Sequence, residues 1–152
     1  SVNSTKQFIL NFLADSTVMS TGEYHNTSEM DGIAQKLLTE ANAAYQDETQ
    51  TDKTVKALMR AVAEKEGILK EGTGYEISFV EDYQFKSSLI PEVQKQLMLM
   101  QMMDTIEVNG GIALDATKLD VGVAVGKIGD KTYAVVVMTS AETAAPGTPD
   151  GD

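Results

Sequence analysis

A β-hairpin near the end of the chain is the feature that most constrains its fold. Two apolar runs, Val121–Ile128 and Thr132–Met138, flank the dipeptide Gly129-Asp130. A two-residue Gly-X connection between such runs is typical of a hairpin with a type II′ turn. Both runs are nearly continuous in valine and alanine, which predicts strands that are buried on both faces at the centre of a sheet. A sheet of this kind needs helices packed against it.

Two helices are predicted in the first third of the chain. A short first helix is capped by Ser4, and its apolar residues follow helical spacing. The residues of this stripe are Phe8, Ile9, Phe12 and Leu13. The second helix starts at Ser28, in a segment that resembles a capping box with Asp31 in place of the preferred glutamate. Its apolar periodicity continues to about Gln46, which makes it the best-defined helix of the sequence.

Two further helices are predicted in the middle of the chain. The third runs from Thr51 or Asp52 to Glu66, and Gly67 follows it in the position that a left-handed C′ residue takes. The fourth covers residues 88–103, with a proline in its first turn where the missing N–H group does no harm. Four helices are enough to cover both faces of a small sheet.

The order of the predicted elements gives the fold class. The segment Tyr75–Val80 alternates apolar and polar residues, as a half-buried strand does. The resulting order α-α-α-β-α-β-β-β predicts an α+β fold, with about four helices packed on a mostly antiparallel sheet that ends in the central hairpin 121–128/132–138. Residues 1–139 are predicted to form a single domain, and residues 140–152 a flexible acidic tail rich in proline and glycine.

Composition excludes several classes of function. A net charge of −11 argues against binding to nucleic acid, because phosphate contacts need clustered lysine and arginine. No stretch approaches the roughly 20 apolar residues of a membrane-spanning helix. Cysteine is absent, which removes disulfides, thiolate metal sites and thiol nucleophiles. A start at Ser1 without methionine fits either a processed secreted protein or a trimmed chain. A polar texture with one arginine favours an extracellular or cell-surface protein, although a cytoplasmic one stays open.

The candidate site residues surround the single histidine of the chain. His25 lies in the polar stretch Asp15–Thr27, which predicts a loop. With Glu23 and Glu29 it could act as a general base or bind a ligand, and the neighbouring Tyr24 completes the candidate ligand-binding set. One histidine without cysteine is a weak transition-metal set, so the sequence predicts no metal site, no cofactor and no catalytic residue.

Two segments carry a resemblance to a known family. The fragment TGEYHNTSEMDG resembles the Tyr/Phe-Ser-His-Thr-x-x-Asp-Gly region of bacterial secreted CAP-superfamily (SCP-like) domains. The segment VGVAVGKIGDKTYAVVV is similar to the final strand pair of that α-β-α sandwich. The resemblance implies a sandwich of this kind. The second histidine and the Gly-Glu-Asn strand motif of the family have no counterpart here, so no site residue is carried over.

Two classes of function follow. The first is a non-enzymatic secreted or cell-surface domain that binds a protein partner or assembles with itself. The second is a small enzyme or a metal- or ligand-binding protein with a site around His25, a divergent CAP-like sandwich among them. Because the hairpin is expected at the centre of the scaffold, the sequence predicts function elsewhere: in the loop around His25, on an exposed helix face or in the acidic tail.

Overall fold

The protein has an α+β fold with a mixed sheet. A computed structural model describes residues 2–14, 23–68, 74–81, 107–109 and 118–140. Within these ranges there are three helices: α1 (Val2–Ala14), α2 (Ser28–Gln46) and α3 (Val55–Lys65). There are four longer strands and one of three residues: β1 (Glu23–Asn26), β2 (Tyr75–Glu81), β3 (Glu107–Asn109), β4 (Lys118–Ile128) and β5 (Lys131–Ser140).

The sheet is built around the predicted hairpin. Its strand order is β1-β4-β5-β2-β3, with β5 in the middle. Three neighbouring pairs are antiparallel, while β1 runs parallel to β4. The turn closes at the pair Ile128 and Lys131, and Gly129 has a φ of 70°. Asp130 has no positive φ, so the predicted Gly-X turn of type II′ geometry is confirmed.

Helices cover both faces of this sheet. On one face, α2 and α3 pack over one set of strand side chains, which includes Ile77, Phe79 and Val135. On the other face, α1 packs over the alternate set, which includes Val80 and Val136. Because successive strand residues point to opposite faces, both sets come from the same strands. The valine-rich runs are therefore buried on both sides, as predicted.

Two glycines of β4 allow α2 to lie close to the sheet. A Cβ atom on Gly122 would stand 2.0 Å from the backbone oxygen of Met30, and one on Gly126 would stand 2.8 Å from Cδ2 of Leu38. The distance along β4 from Gly122 to Gly126 is about 13 Å, and the distance along α2 from Met30 to Leu38 is about 12 Å. Because the two spans match and both contacts advance along the chain, α2 runs alongside β4 in the same direction. The alternating glycines thus mark the helix contact.

The ends of the helices differ in how well the sequence predicted them. Gly67 has a φ of 77°, and the N–H of Ile68 donates to the carbonyl of Ala63 at 2.8 Å, so the predicted C′ glycine is confirmed as part of a Schellman motif. The starts are shifted. The hydroxyl of Thr27, rather than Ser28, caps α2 by accepting from the Met30 N–H at 3.1 Å, and Thr54 caps α3, two or three residues later than predicted.

Four other expectations need correction or lie beyond the described residues. Ser4 lies inside α1 and does not cap it, since the helix already begins at Val2. The predicted loop contains β1, because its residues pair with β4. Three helices are described rather than four, and the predicted helix 88–103 lies outside the described residues. Strand β5 includes Ser140, while the rest of the predicted tail, 141–152, is also outside them.

Candidate functional site

The predicted site around His25 lies on the edge strand β1. The Nε2 atom of His25 is 3.1 Å from Oε1 of Glu23, and the two side chains are 51% and 69% exposed. Side chains that are this exposed are well solvated. The structure does bring His25 and Glu23 into contact, but on an open surface.

The other two predicted site residues do not join this pair. Tyr24 points to the opposite face, where it packs half-buried against the α1 side of the core. Burial, and next the charge of Glu29, raise the pKa of Tyr75, which places Glu29 in the electrostatic surroundings of β2. Among the described residues, no three histidine or acidic side chains are grouped so as to hold a metal ion.

The junction between β1 and α2 shows a more informative arrangement. The Thr27 N–H continues the ladder by donating to the carbonyl of Val121 at 3.2 Å. The Thr27 carbonyl, however, accepts from the Asp31 N–H at 3.0 Å, in the first turn of α2. A carbonyl that begins a helix no longer points to the neighbouring strand. The next outward N–H of β4, that of Val123, therefore needs another acceptor.

Asp31 supplies that acceptor from the helix. Its Oδ1 atom accepts from the Val123 N–H at 3.0 Å and from Nδ2 of Asn26 at 2.8 Å, while Oδ2 accepts from the Lys6 ammonium group on α1. Partial burial raises the pKa of Asp31, but the hydrogen bonds from these three groups and the charge of Lys6 lower it by more. The pKa of Asp31 therefore lies below its ordinary value, and the ionised carboxylate takes the place of the main-chain acceptor that β1 no longer offers to the Val123 N–H.

Beyond this junction, none of the described strands pairs with the outer edge of β4. In an antiparallel pair, alternate residues direct their N–H and C=O groups to one side, and in β4 the odd-numbered residues face away from β5. Asn42 of α2 accepts from the Gly129 N–H at 2.9 Å. Between the bonds at Val123 and Gly129, no described residue bonds to the outward groups of Val125 and Lys127.

The open edge, residues 123–127, borders a cleft through its first three residues. The cleft has a volume of about 370 Å³. Its floor is formed by Val123, Ala124 and Val125, one wall by Lys6 of α1, and the other wall by the first turns of α2. Val125 is half-buried and Lys127 is exposed. Lys127 forms no ion pair with any residue that the structure describes.

A second groove, between α2 and α3, lacks these features. It has a volume of about 520 Å³, and small side chains such as Ala43 and Ala61 line it. Its lysine is already paired, since Nζ of Lys65 lies 3.5 Å from Glu40. Away from the helix ends, the backbone groups of α2 and α3 are bonded within each helix, so they are not available to a strand. The edge of β4 is therefore the stronger candidate site.

Comparisons with protein-family models, curated proteins and solved structures find no match to this chain. The resemblance to CAP-superfamily domains thus stays a prediction. No helix in the part of the chain that the structure describes is long and apolar enough to cross a membrane.

Sequence reasoning missed the residues that define the open edge. These are Lys6, Asp31, Asn42, Val125 and Lys127. The sequence predicted function away from the hairpin, and that stays a prediction; among the described residues, the outward groups of Val125 and Lys127 in β4 have no hydrogen-bond partner. A signal was present in Lys127, since a lysine in an otherwise apolar strand is a common feature of exposed edges.

Proposed function

We propose that this chain is a non-enzymatic binding module of the cell surface or the extracellular space, which engages a protein partner through the open edge of β4. The observation that carries the proposal is a row of main-chain groups between Val123 and Lys127 that no described residue bonds, the first part of which lines a cleft. Unpaired strand edges are templates for the addition of another strand. Main-chain bonds supply affinity at such an edge, and the side chains beside it supply specificity.

The edge is bounded in a way that supports a limited binding site. Asp31 occupies the Val123 N–H at one end and Asn42 occupies the Gly129 N–H at the other. Two donors, the N–H groups of Val125 and Lys127, and three acceptors, the carbonyls of residues 123, 125 and 127, remain between them. A short segment of about five residues is long enough to bond all five groups.

Self-assembly is a second form of the same proposal. A second copy would present the same edge, so two copies could pair by isologous strand addition. Sedimentation of the chain at micromolar concentrations tests this form. A dimer that is lost when Val125 is replaced by proline would support it, because that substitution removes an outward N–H group. A monomer at all concentrations would contradict it.

The alternative is a small enzyme or ligand-binding protein built around His25. It is motivated by the contact of 3.1 Å between His25 and Glu23. A thermal-shift screen with divalent metals and small ligands distinguishes the two classes. A ligand at one hundred times its Kd adds about 2.7 kcal/mol of stability. A shift that His25→Ala abolishes would favour the alternative, while no shift with any ligand would favour the binding module.

The binding module is tested by selection from a library of displayed peptides on the immobilised chain. We expect enrichment of extended, β-branched sequences on the wild-type chain and a loss of that enrichment on Val125→Pro. Val125→Thr is the matched control, because it keeps the N–H group and nearly the same shape. No enrichment on the wild-type chain, together with a monomer in sedimentation, would contradict the proposal.

A further inference from the structure

The open edge of β4 has a local charge opposite to that of the whole chain. Lys127 is the exposed cation at the edge, and it forms no ion pair among the described residues. The charge of Lys6, on the wall of the cleft, is already balanced by Asp31. The net charge of the chain is −11. The edge is thus a positive position on an acidic molecule, and a nearby carboxylate would be attracted to it.

The shape of the cleft favours one strand over a second folded copy. Lys6 stands on one side of the floor, and Gly32 and Gln35 of α2 stand on the other. A single extended segment fits between two walls, whereas a second copy must bring its own α1 and α2 to the same place. Two copies at a net charge of −11 each also repel one another.

We infer that the open edge of β4 binds an extended peptide segment of a partner protein, which adds as a strand beside residues 123–127 and places an aspartate or glutamate next to Lys127. This inference rests on the proposed function and specifies the partner. The segment has a β-branched residue opposite Val125, since such side chains pack well across strands. Its backbone bonds the two donors and three acceptors that the fold leaves open.

The probe is a fluorescein-labelled peptide, Thr-Asp-Thr-Val-Thr-Asp-Thr, whose sequence reads the same in both strand directions. The matched probe has lysine in place of both aspartates. We expect fluorescence anisotropy at low ionic strength to give a Kd about two- to fivefold lower for the aspartate peptide, the range of an exposed ion pair. Val125→Pro is expected to raise that Kd at least about tenfold, because it removes a main-chain donor.

A charge reversal tests the role of Lys127 without altering the backbone. We expect Lys127→Glu to reverse the preference, so that the lysine peptide binds more tightly than the aspartate peptide. Lys118→Glu is the matched control, because Lys118 is an exposed lysine in the part of β4 that pairs with β1. It lies about 30 Å along the strand from Lys127, too far to form an ion pair with the peptide residue beside Lys127, and is expected to leave the preference unchanged.

Hydrogen exchange locates the peptide on the molecule. We expect the aspartate peptide to slow amide exchange at Val125 and Lys127, while Ala124 and Gly126 are already protected by their bonds to β5. The inference is overturned if the aspartate peptide fails to bind the wild type. It is also overturned if the Val125→Pro and Lys127→Glu variants bind this peptide as tightly as the wild type does, provided that both variants unfold as cooperatively as the wild type.

The failures of the inference and of the proposed function are distinguishable. A dimer that Val125→Pro abolishes would overturn the acidic-peptide inference and keep the binding function, with a second copy as occupant. If displayed peptides bind the Val125→Pro variant as well as the wild type, the edge of β4 is not the binding site, and a binding function at another surface is kept. Absence of any peptide binding and of any self-association would overturn both.

Discussion

The two halves of β4 share an apolar alternation but differ in their neighbours. The first half, Lys118–Val121, pairs with β1 on one side and with β5 on the other. The second half, residues 123–127, pairs with β5, and no other described strand pairs with it. Apolar residues occupy the odd-numbered positions from Leu119 to Val125, across both halves, so this pattern does not determine where pairing stops. The difference shows that the neighbouring segment determines where the pairing of β4 stops, because β1 ends where the Thr27 carbonyl begins a helix.

The largest expected effect is at the junction of the two halves. We expect Gly122→Ala to reduce the free energy of unfolding by about 4 kcal/mol or more, because the added Cβ would lie 2.0 Å from the Met30 backbone oxygen, which cannot move without α2. Gly126→Ala meets Leu38 at 2.8 Å, the far end of a flexible side chain, and is expected to lose about 1–2 kcal/mol. Urea denaturation measures both. Equal losses would contradict the close backbone approach at Gly122.

Proline substitutions compare the two halves directly. In the first half, the N–H of Val121 points to β1, and in the second half the N–H of Val125 points to the open edge. We expect the difference in stability between proline and alanine to be about 2–3 kcal/mol at Val121 and under about 1 kcal/mol at Val125. The alanine variants are the reference, because they also lose the valine side chain but keep the main-chain N–H group. A difference at Val125 as large as that at Val121 would mean that the second half is paired.

The carboxylate at the junction gives a smaller effect with a distinct pH dependence. We expect Asp31→Ala to lose about 2 kcal/mol at neutral pH, since the Val123 N–H and Lys6 both lose their acceptor. The folded pKa of Asp31 lies below its ordinary value. Its contribution is therefore complete above the unfolded pKa of about 3.9 and is lost as the pH falls through the lower, folded pKa.

Urea denaturation between neutral pH and about pH 2 tests this linkage, since both carboxyl states are then sampled. We expect the stabilities of the wild type and Asp31→Asn to differ most at neutral pH and to converge at the acid end. Asp52→Asn is a matched control: the hydrogen bonds of Thr54 to this exposed carboxylate also lower its pKa, but it lies away from β4. A constant difference across the range would contradict a charged Asp31.

The smallest expected effect is a gain in stability at the wall of the cleft. Gly32 lies in α2, and a Cβ atom there would meet no other atom within 4 Å. We expect Gly32→Ala to stabilise the protein by about 0.5–1 kcal/mol, because glycine in a helix interior carries an entropic penalty. Thermal unfolding measures it. A loss of stability would indicate that the wall of the cleft is closer to the edge than described.

Local patterns were predicted well because local interactions decide them. The span of α2 follows from its apolar period, and the end of α3 follows from Gly67, where a left-handed residue is needed. The predicted loop around His25 was wrong at β1, since four polar residues carry no strand signal of their own. They form a strand only because β4 provides a partner, ninety-five residues further along the sequence.

The candidate site was less predictable than the fold, for a related reason. His25 and Glu23 were expected to form a site, and they do lie together, but the strand that carries them leaves them in solvent. Asp31 was considered only as part of a helix start. Its role at the Val123 N–H requires α2 to lie beside β4, and nothing local to either segment specifies that arrangement.

By itself, the sequence determined the hairpin, its turn at Gly129 and the periodicity of α2, since each depends on side chains close in sequence. Only the tertiary structure decided which half of β4 has a partner. Backbone N–H and C=O groups are the same at every residue apart from proline, so a lysine such as Lys127 can indicate an exposed edge but does not determine which groups are paired. That outcome depends on where β1 turns into α2 and on which side chain, here Asp31, replaces it.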